Sequence, residues 1–211
     1  RRGWRSLKLY FMLGLPTEQY DDLAAIVDLG ARCLSRARRS VKGATINVSV
    51  SSFVPKSHTP FQWASQIDLD EIRARQNFLA RELRQARLGF RYHESRSSVM
   101  EGVFSRGDRR SADLLEASYQ AGARLDGWQE HLSNDAWASA FASTGMDSSF
   151  YNQRHRGEDE VFPWDHIDIG VKREWLWDDW KDALEGGFVP DCSDDPCYDC
   201  GVCDHKVVHN R

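Results

Sequence analysis

Four cysteines crowd the end of the chain, at positions 192, 197, 200 and 203 of the stretch PDCSDDPCYDCGVCDH, out of five in 211 residues. Their spacing is C-x4-C-x2-C-x2-C. A two-residue gap lets one tight turn present two sulfurs to the same ion. Pro190, Asp191 and Pro196 suit such turns, and Gly201 would let backbone pass close to sulfur. Zinc would take Cys192, Cys197, Cys200 and Cys203 as a closed tetrahedral site. An iron–sulfur cluster fits the same spacing, since C-x4-C-x2-C and C-x2-C-x2-C both occur in ferredoxin-type ligation. Disulfides fit poorly, because rings this small constrain little unfolded-state entropy. His205 and His209 are minor candidates as substitute ligands. Cys33 stands apart, beside the apolar face of an amphipathic stretch, and reads as a small core residue.

A second group of residues could hold an organic ligand. In FMLGLPTE, Gly14, Pro16 and Glu18 follow a short apolar run. Gly14 would let a ligand approach the backbone. Thr17 suits a helix N-cap, beyond which unpaired N–H groups could bind an anion. In SSFVPKSHTPFQW, Ser51 and Ser52 could point into a cavity mouth. Phe53 and Val54 could pack on a flat ligand, Pro55 and Pro60 stiffen the loop, and Lys56 and His58 offer polar contacts.

The elements that must position these residues follow from periodicity. Residues 6–14 and 44–55 are apolar or β-branched runs that predict strands. Between them Leu23, Ile26, Val27, Gly30, Leu34 and Ala37 share one face of a helix expected to stop near Gly43. Strand, helix, strand with short connections is a βαβ unit and hence a parallel pair. A second amphipathic helix is predicted over about 69–87, with Ile72, Phe78, Leu79, Leu83 and Ala86 inward, then a third strand at GFRYHE. Ligands in such folds bind at the C-terminal edge of the strands, where both loops would lie. Beyond residue 97 helices are expected at 97–105, 110–123, 134–144 and 173–185, with Asn134 as an N-cap and Gly145 and Gly186 as stops. Six of the eight tryptophans lie past residue 120, at spacings that suit a core. His93 and Glu94, and Arg106, Asp108 and Arg109, are further polar candidates, read first as Arg–carboxylate pairs joining domains.

Taken together, LYFMLGLPTE and VSVSSFVPKSHTPFQW resemble the fifth and sixth strands of the radical S-adenosylmethionine barrel. RSSVMEGVFSRGDRR, GARLDGWQEHL, FPWDHID and the cysteine-rich tail are similar to the downstream region of members that carry a cobalamin-binding domain. The resemblance implies an α/β chain: the C-terminal part of a partial (β/α) barrel (1–95), a mainly helical extension (96–189) and a metal-binding tail (190–211). It implies an enzyme whose [4Fe-4S] cluster binds S-adenosylmethionine and cleaves it reductively to a 5′-deoxyadenosyl radical. Gly14, Pro16 and Glu18 would match the fifth-strand cofactor motif, and Phe53, Val54 and Pro55 the contacts around the adenine. The C-x3-C-x2-C cluster motif is absent from the sequence. The resemblance therefore implies a fragment, inactive alone, whose cluster and cobalamin domain belong to an N-terminal part of the same polypeptide. The tail would hold an auxiliary iron–sulfur or zinc site.

Composition narrows the alternatives. Formal net charge is −4, which argues against general nucleic-acid binding, although the early arginines leave RNA contact open. No apolar run approaches the ~20 residues of a membrane span. With no signal-peptide pattern a reducing cytoplasm is the default compartment, and there clustered cysteines read as metal ligands before disulfides. A zinc-stabilised interaction module without catalysis is the competing reading; the substrate is not legible.

Overall fold

In a computed structural model describing residues 3–203, the chain is mixed α/β, with a small parallel sheet followed by helices. Strands β1 (Ser6–Leu13), β2 (Thr45–Ser52) and β3 (Gly89–Tyr92) pair in parallel in sequence order. Helix α1 (Tyr20–Arg38) links the first two strands, and α2 (Leu69–Gln85) precedes the third. The expected strand boundaries hold to within a few residues. Helix α1 stops five residues short of Gly43, because residues 39–43 form turns before β2.

Alternation along paired strands puts every second side chain on one face. Leu9, Phe11 and Leu13 share a face with Ile46, Val48 and Val50. That face packs on Leu23, Ile26 and Leu34 of α1 and on Ile72, Leu79 and Leu83 of α2, with Cys33 at the edge of this core as expected. Burying a core leucine stabilises by about 1.5–3 kcal/mol, so this layer dominates the stability of the first half. The opposite face, with Lys8, Tyr10, Met12, Asn47, Ser49, Ser51 and Arg91, is polar by register. Tyr10 is 73% exposed there.

The second half is helical: α3 (Ser95–Arg106), α4 (Ser111–Gln120), α5 (Asn134–Thr144), α6 (Ser148–Asn152) and α7 (Arg173–Leu184). Gly145 ends α5 at φ +64°, a conformation favouring glycine. Ser133, not Asn134, caps α5: its side chain accepts the Ala136 N–H. Val103, Leu114, Ala140 and Tyr151 form a helical core.

A third core joins the two halves. Phe53, Trp63 and Ala64 from the loop after β2 pack with Phe162, Trp164, Leu176 and Trp180. The distal tryptophans thus divide. Trp164 and Trp180 are buried, whereas Trp128 is 59% exposed and departs from the expected core role. Arg106 also departs from the expected ion pairing. It is buried and donates to the carbonyls of Asn152 and Gln62, each at 3.4 Å. Burial, with the like charges of Arg156 and Arg154, lowers its pKa to about 9. Asp108 pairs with Arg110 at 2.6 Å.

Candidate functional site

The β1–α1 turn is held by one carboxylate. At φ +82° Gly14 turns the chain sharply, and an added Cβ would lie 2.9 Å from Ile67 Cδ1, so the position demands glycine. The Gly14 N–H donates to Glu18 Oε1 at 2.9 Å. Glu18 also forms an ion pair with Arg75 of α2, in which both side chains are nearly buried. Arg75 reaches Glu71 at 2.7 Å as well. Although burial alone would lower the Arg75 pKa, hydrogen bonds and charge from Glu71 and Glu18 outweigh it and raise the value. Glu18 thus ties the turn to α2.

The helix start is occupied in the same way. Thr17 sits at φ +66° and does not cap α1. Gln19 is the N-cap, and its N–H donates to Asp22 Oδ2 at 2.8 Å. Of the N–H groups at the helix start, that of Gln19 meets the chain's own Asp22 and that of Asp22 meets Gln19, while Glu18 takes the Gly14 N–H in the turn before.

At the C-terminal edge of the sheet lies a cavity of about 430 Å³. Met12 and Leu15 line it from the end of β1, and Ser51, Ser52, Phe53 and Val54 from the end of β2. Lys56, Thr59 and Phe61 contribute from the following loop, His93 from beyond β3, and Ser98 and Glu101 from α3. Phe53 and Phe61 meet edge to face with centroids 5.3 Å apart, giving the wall an aromatic corner. Lys56 Nζ lies 2.5 Å from Glu101 Oε1, bridging the loop to α3. Ser52 Oγ is shielded from solvent and has no hydrogen-bond partner among the described residues. Gln66 braces two walls: its Nε2 donates to the carbonyls of Phe53 at 3.2 Å and Ser98 at 3.1 Å.

Of the six residues expected around a cofactor, Phe53 and Val54 line this cavity. Gly14, Pro16, Glu18 and Pro55 are not among its lining; Gly14 and Glu18 shape the turn that presents Leu15. Lys56 and His58 diverge: Lys56 faces this cavity and His58 a separate one. Glu94 caps α3, its side chain accepting the Ser97 N–H at 2.8 Å. Met12, Leu15, Thr59, Phe61, Ser98 and Glu101 were not singled out by sequence reasoning. Met12 and Leu15 were findable, since they lie within two residues of Gly14 at a parallel strand end. Ser98 and Glu101 were not, because only the packing of α3 brings them there.

As far as residue 203, the described part of the tail forms local turns. The Asp199 N–H donates to Cys197 Sγ at 3.4 Å, and Asp199 and Gly201 take positive φ values of 55° and 102°. The Lys172 N–H donates to the Cys200 carbonyl at 2.7 Å, and Lys172 Nζ meets Asp199 at 2.7 Å, which docks the tail on the segment before α7. Among the described residues no three His, Cys, Asp or Glu side chains are gathered around one metal-sized centre. His205 and His209 lie outside the described residues. No described helix is long and apolar enough to cross a membrane.

No family model matches the chain, and no solved structure matches it. It is similar to an uncharacterized protein of Methanocaldococcus jannaschii, 23% identical over 144 residues, or 68% of this chain. The chain spans about a third (31%) of that relative's length.

Proposed function

We propose that the chain is the C-terminal portion of a radical S-adenosylmethionine enzyme of the subfamily with a cobalamin-binding domain, and that the sheet-edge cavity takes the adenosine part of the cofactor. The observation that carries this reading is the cavity's place: the C-terminal edge of three parallel strands, walled by Phe53 and Val54. Strands in sequence order with α1 and α2 on one face, and a polar opposite face, suit an arc of a (β/α) barrel whose inner wall carries Tyr10, Ser49 and Ser51.

The donor set suits adenosine. Phe53, Phe61, Val54 and Leu15 would cover a flat ring and exclude water, while Ser51, on the polar face of the sheet, would meet its polar edge. The Glu18–Arg75 latch keeps Leu15 in place. The cluster, when bound, supplies the electron for cleavage of the cofactor's sulfonium. With no C-x3-C-x2-C motif in this sequence, we assign the catalytic cluster and any cobalamin to another part of a longer cytoplasmic polypeptide.

A binding experiment tests this reading. The chain holds only the adenosine side, so calorimetry should find S-adenosylmethionine and 5′-deoxyadenosine binding with affinities within about threefold. Val54→Asp should abolish both by placing a charge in the apolar wall. Absence of binding by either nucleoside would sink the proposal.

The tail is proposed to hold an auxiliary metal through Cys192, Cys197, Cys200 and Cys203, drawn together on binding. Cys200→Ala is expected to release the metal, and His93→Ala to leave it in place, as read by elemental analysis after anaerobic purification. Unaltered metal in Cys200→Ala counts against the site. One zinc and no colour after iron reconstitution would favour the interaction module, a reading that the Cys197–Asp199 turn also suits.

A further inference from the structure

The sheet-edge cavity has an apolar side and a polar rim. Met12, Leu15, Phe53, Val54 and Phe61 form the apolar side, from the ends of β1 and β2 and the loop beyond. Among the described residues that line it, Glu101 of α3 is the one acid.

Most other polar groups of the rim already donate within the chain. Thr59 Oγ1 donates to the Lys56 carbonyl at 2.9 Å, and Ser98 Oγ to the Glu94 carbonyl at 3.4 Å. Ser52 Oγ is closed off from solvent and so from a ligand. Lys56 Nζ is taken by Glu101 Oε1. Ser51 and His93 remain, and a hydroxyl or an imidazole can serve as donor or acceptor. Glu101 differs from them in being an acceptor only, and its Oε2 has no hydrogen-bond partner among the described residues.

The place of Glu101 is fixed by packing and by charge. Its neighbour Gly102 is buried, and a Cβ there would lie 2.5 Å from Gln66 Oε1 and 2.7 Å from Asn152 Oδ1. Glycine therefore lets α3 lie flush on two buried amides. Those amides also grip the helix. Gln66 Nε2 donates to the Ser98 carbonyl at 3.1 Å, and Asn152 Nδ2 to the Val99 carbonyl at 2.9 Å. Gln66 Nε2 reaches the Phe53 carbonyl as well, which ties α3 to the apolar wall. Lys56 then holds one carboxylate oxygen of Glu101 and leaves the other for a ligand.

The ligand group follows from the chemistry of the two sides. A 5′-deoxyadenosyl group offers hydrogen-bond donors at two places, the amino group of the base and the diol of the ribose. The flat base gains from leaving water, and the aromatic corner of Phe53 and Phe61 suits it. The ribose is the hydrated part and belongs at the rim, where the Lys56 and Glu101 side chains are 49% and 54% exposed. An acidic side chain accepting from ribose hydroxyls is a recurrent solution in nucleotide sites. We propose that Glu101 is the residue that selects the sugar, accepting a hydrogen bond from the ribose diol. This inference rests on the nucleoside reading of the cavity and names the group that would give it specificity.

Calorimetry with 5′-deoxyadenosine and its 2′-deoxy and 3′-deoxy analogues tests it. Wild type should bind at least one analogue about tenfold more weakly than the parent, the effect of an unmade hydrogen bond to a charged group. Glu101→Ala truncates an exposed side chain and should keep the far-ultraviolet circular dichroism. It should bind 5′-deoxyadenosine about tenfold more weakly, and the parent and its analogues alike. A purely structural loss would weaken all three together and leave their ratios at the wild-type values. The affinity ratio of adenosine to purine riboside, which reports the amino group, should be the same in wild type and variant. If wild type binds no nucleoside, the nucleoside reading and this inference fail together. The inference alone is overturned if wild type binds 5′-deoxyadenosine but does not discriminate against either analogue. It is likewise overturned if Glu101→Ala keeps the discrimination, or if the amino-group ratio changes instead.

Discussion

Replacement of Trp63 by alanine is expected to lower the unfolding free energy by about 3–5 kcal/mol, measured from urea midpoints at constant slope. Trp63 is fully buried in the core that joins the two halves. Its ring meets Phe162 at 5.8 Å and Trp177 at 5.0 Å, and Arg173 lies above it. An alanine would leave a cavity that these neighbours cannot close without moving the 58–63 loop, which walls both pockets. The same variant should therefore weaken nucleoside binding. Trp63→Phe is the control. The indole N–H has no hydrogen-bond partner among the described residues, so phenylalanine removes an unpaired donor along with some volume. Its expected cost is below about 1.5 kcal/mol. Equal losses in the two variants would show that ring volume is not what holds this junction.

Glu18→Ala is expected to cost about 3 kcal/mol. Removing one member of a buried ion pair leaves the other charge uncompensated, typically at about 3–5 kcal/mol. Here the lower end applies because Glu71 retains Arg75. The variant also strips the Gly14 N–H of its acceptor. Glu18→Gln keeps an oxygen for that N–H but loses the charge, and should fall between wild type and Glu18→Ala. Adding Arg75→Met to Glu18→Ala should restore part of the stability, since no lone guanidinium remains. If Glu18→Ala costs under about 0.5 kcal/mol, the pair behaves as an exposed one and the latch is not structural.

How far the site was legible can be judged residue by residue. Phe53 and Val54 were identified because they end a β-branched strand, where an α/β fold leaves its loops open. Only the family resemblance makes Glu18 a cofactor contact, and the structure uses its carboxylate to bind the chain itself. Sequence could not reveal this, because the partner Arg75 lies 57 positions away. Lys56 and His58, two residues apart, were read together but face different cavities. Their separation follows from the positive φ at His58 and the turn after it, a loop conformation that no periodicity signals.

The amino-acid order alone determined the elements: period two in Ile46, Val48 and Val50, and a 3.6 period in Leu23, Ile26, Gly30 and Leu34. It also determined that the strands run parallel, since a helix must carry the chain back between them. These are local facts, set by hydrogen-bond spacing and by which side chains avoid water. Tertiary structure alone decided which helix covers the sheet edge and where Trp63 anchors the distal half. Those outcomes depend on contacts between distant segments, whose energies arise only when irregular loops bring them together.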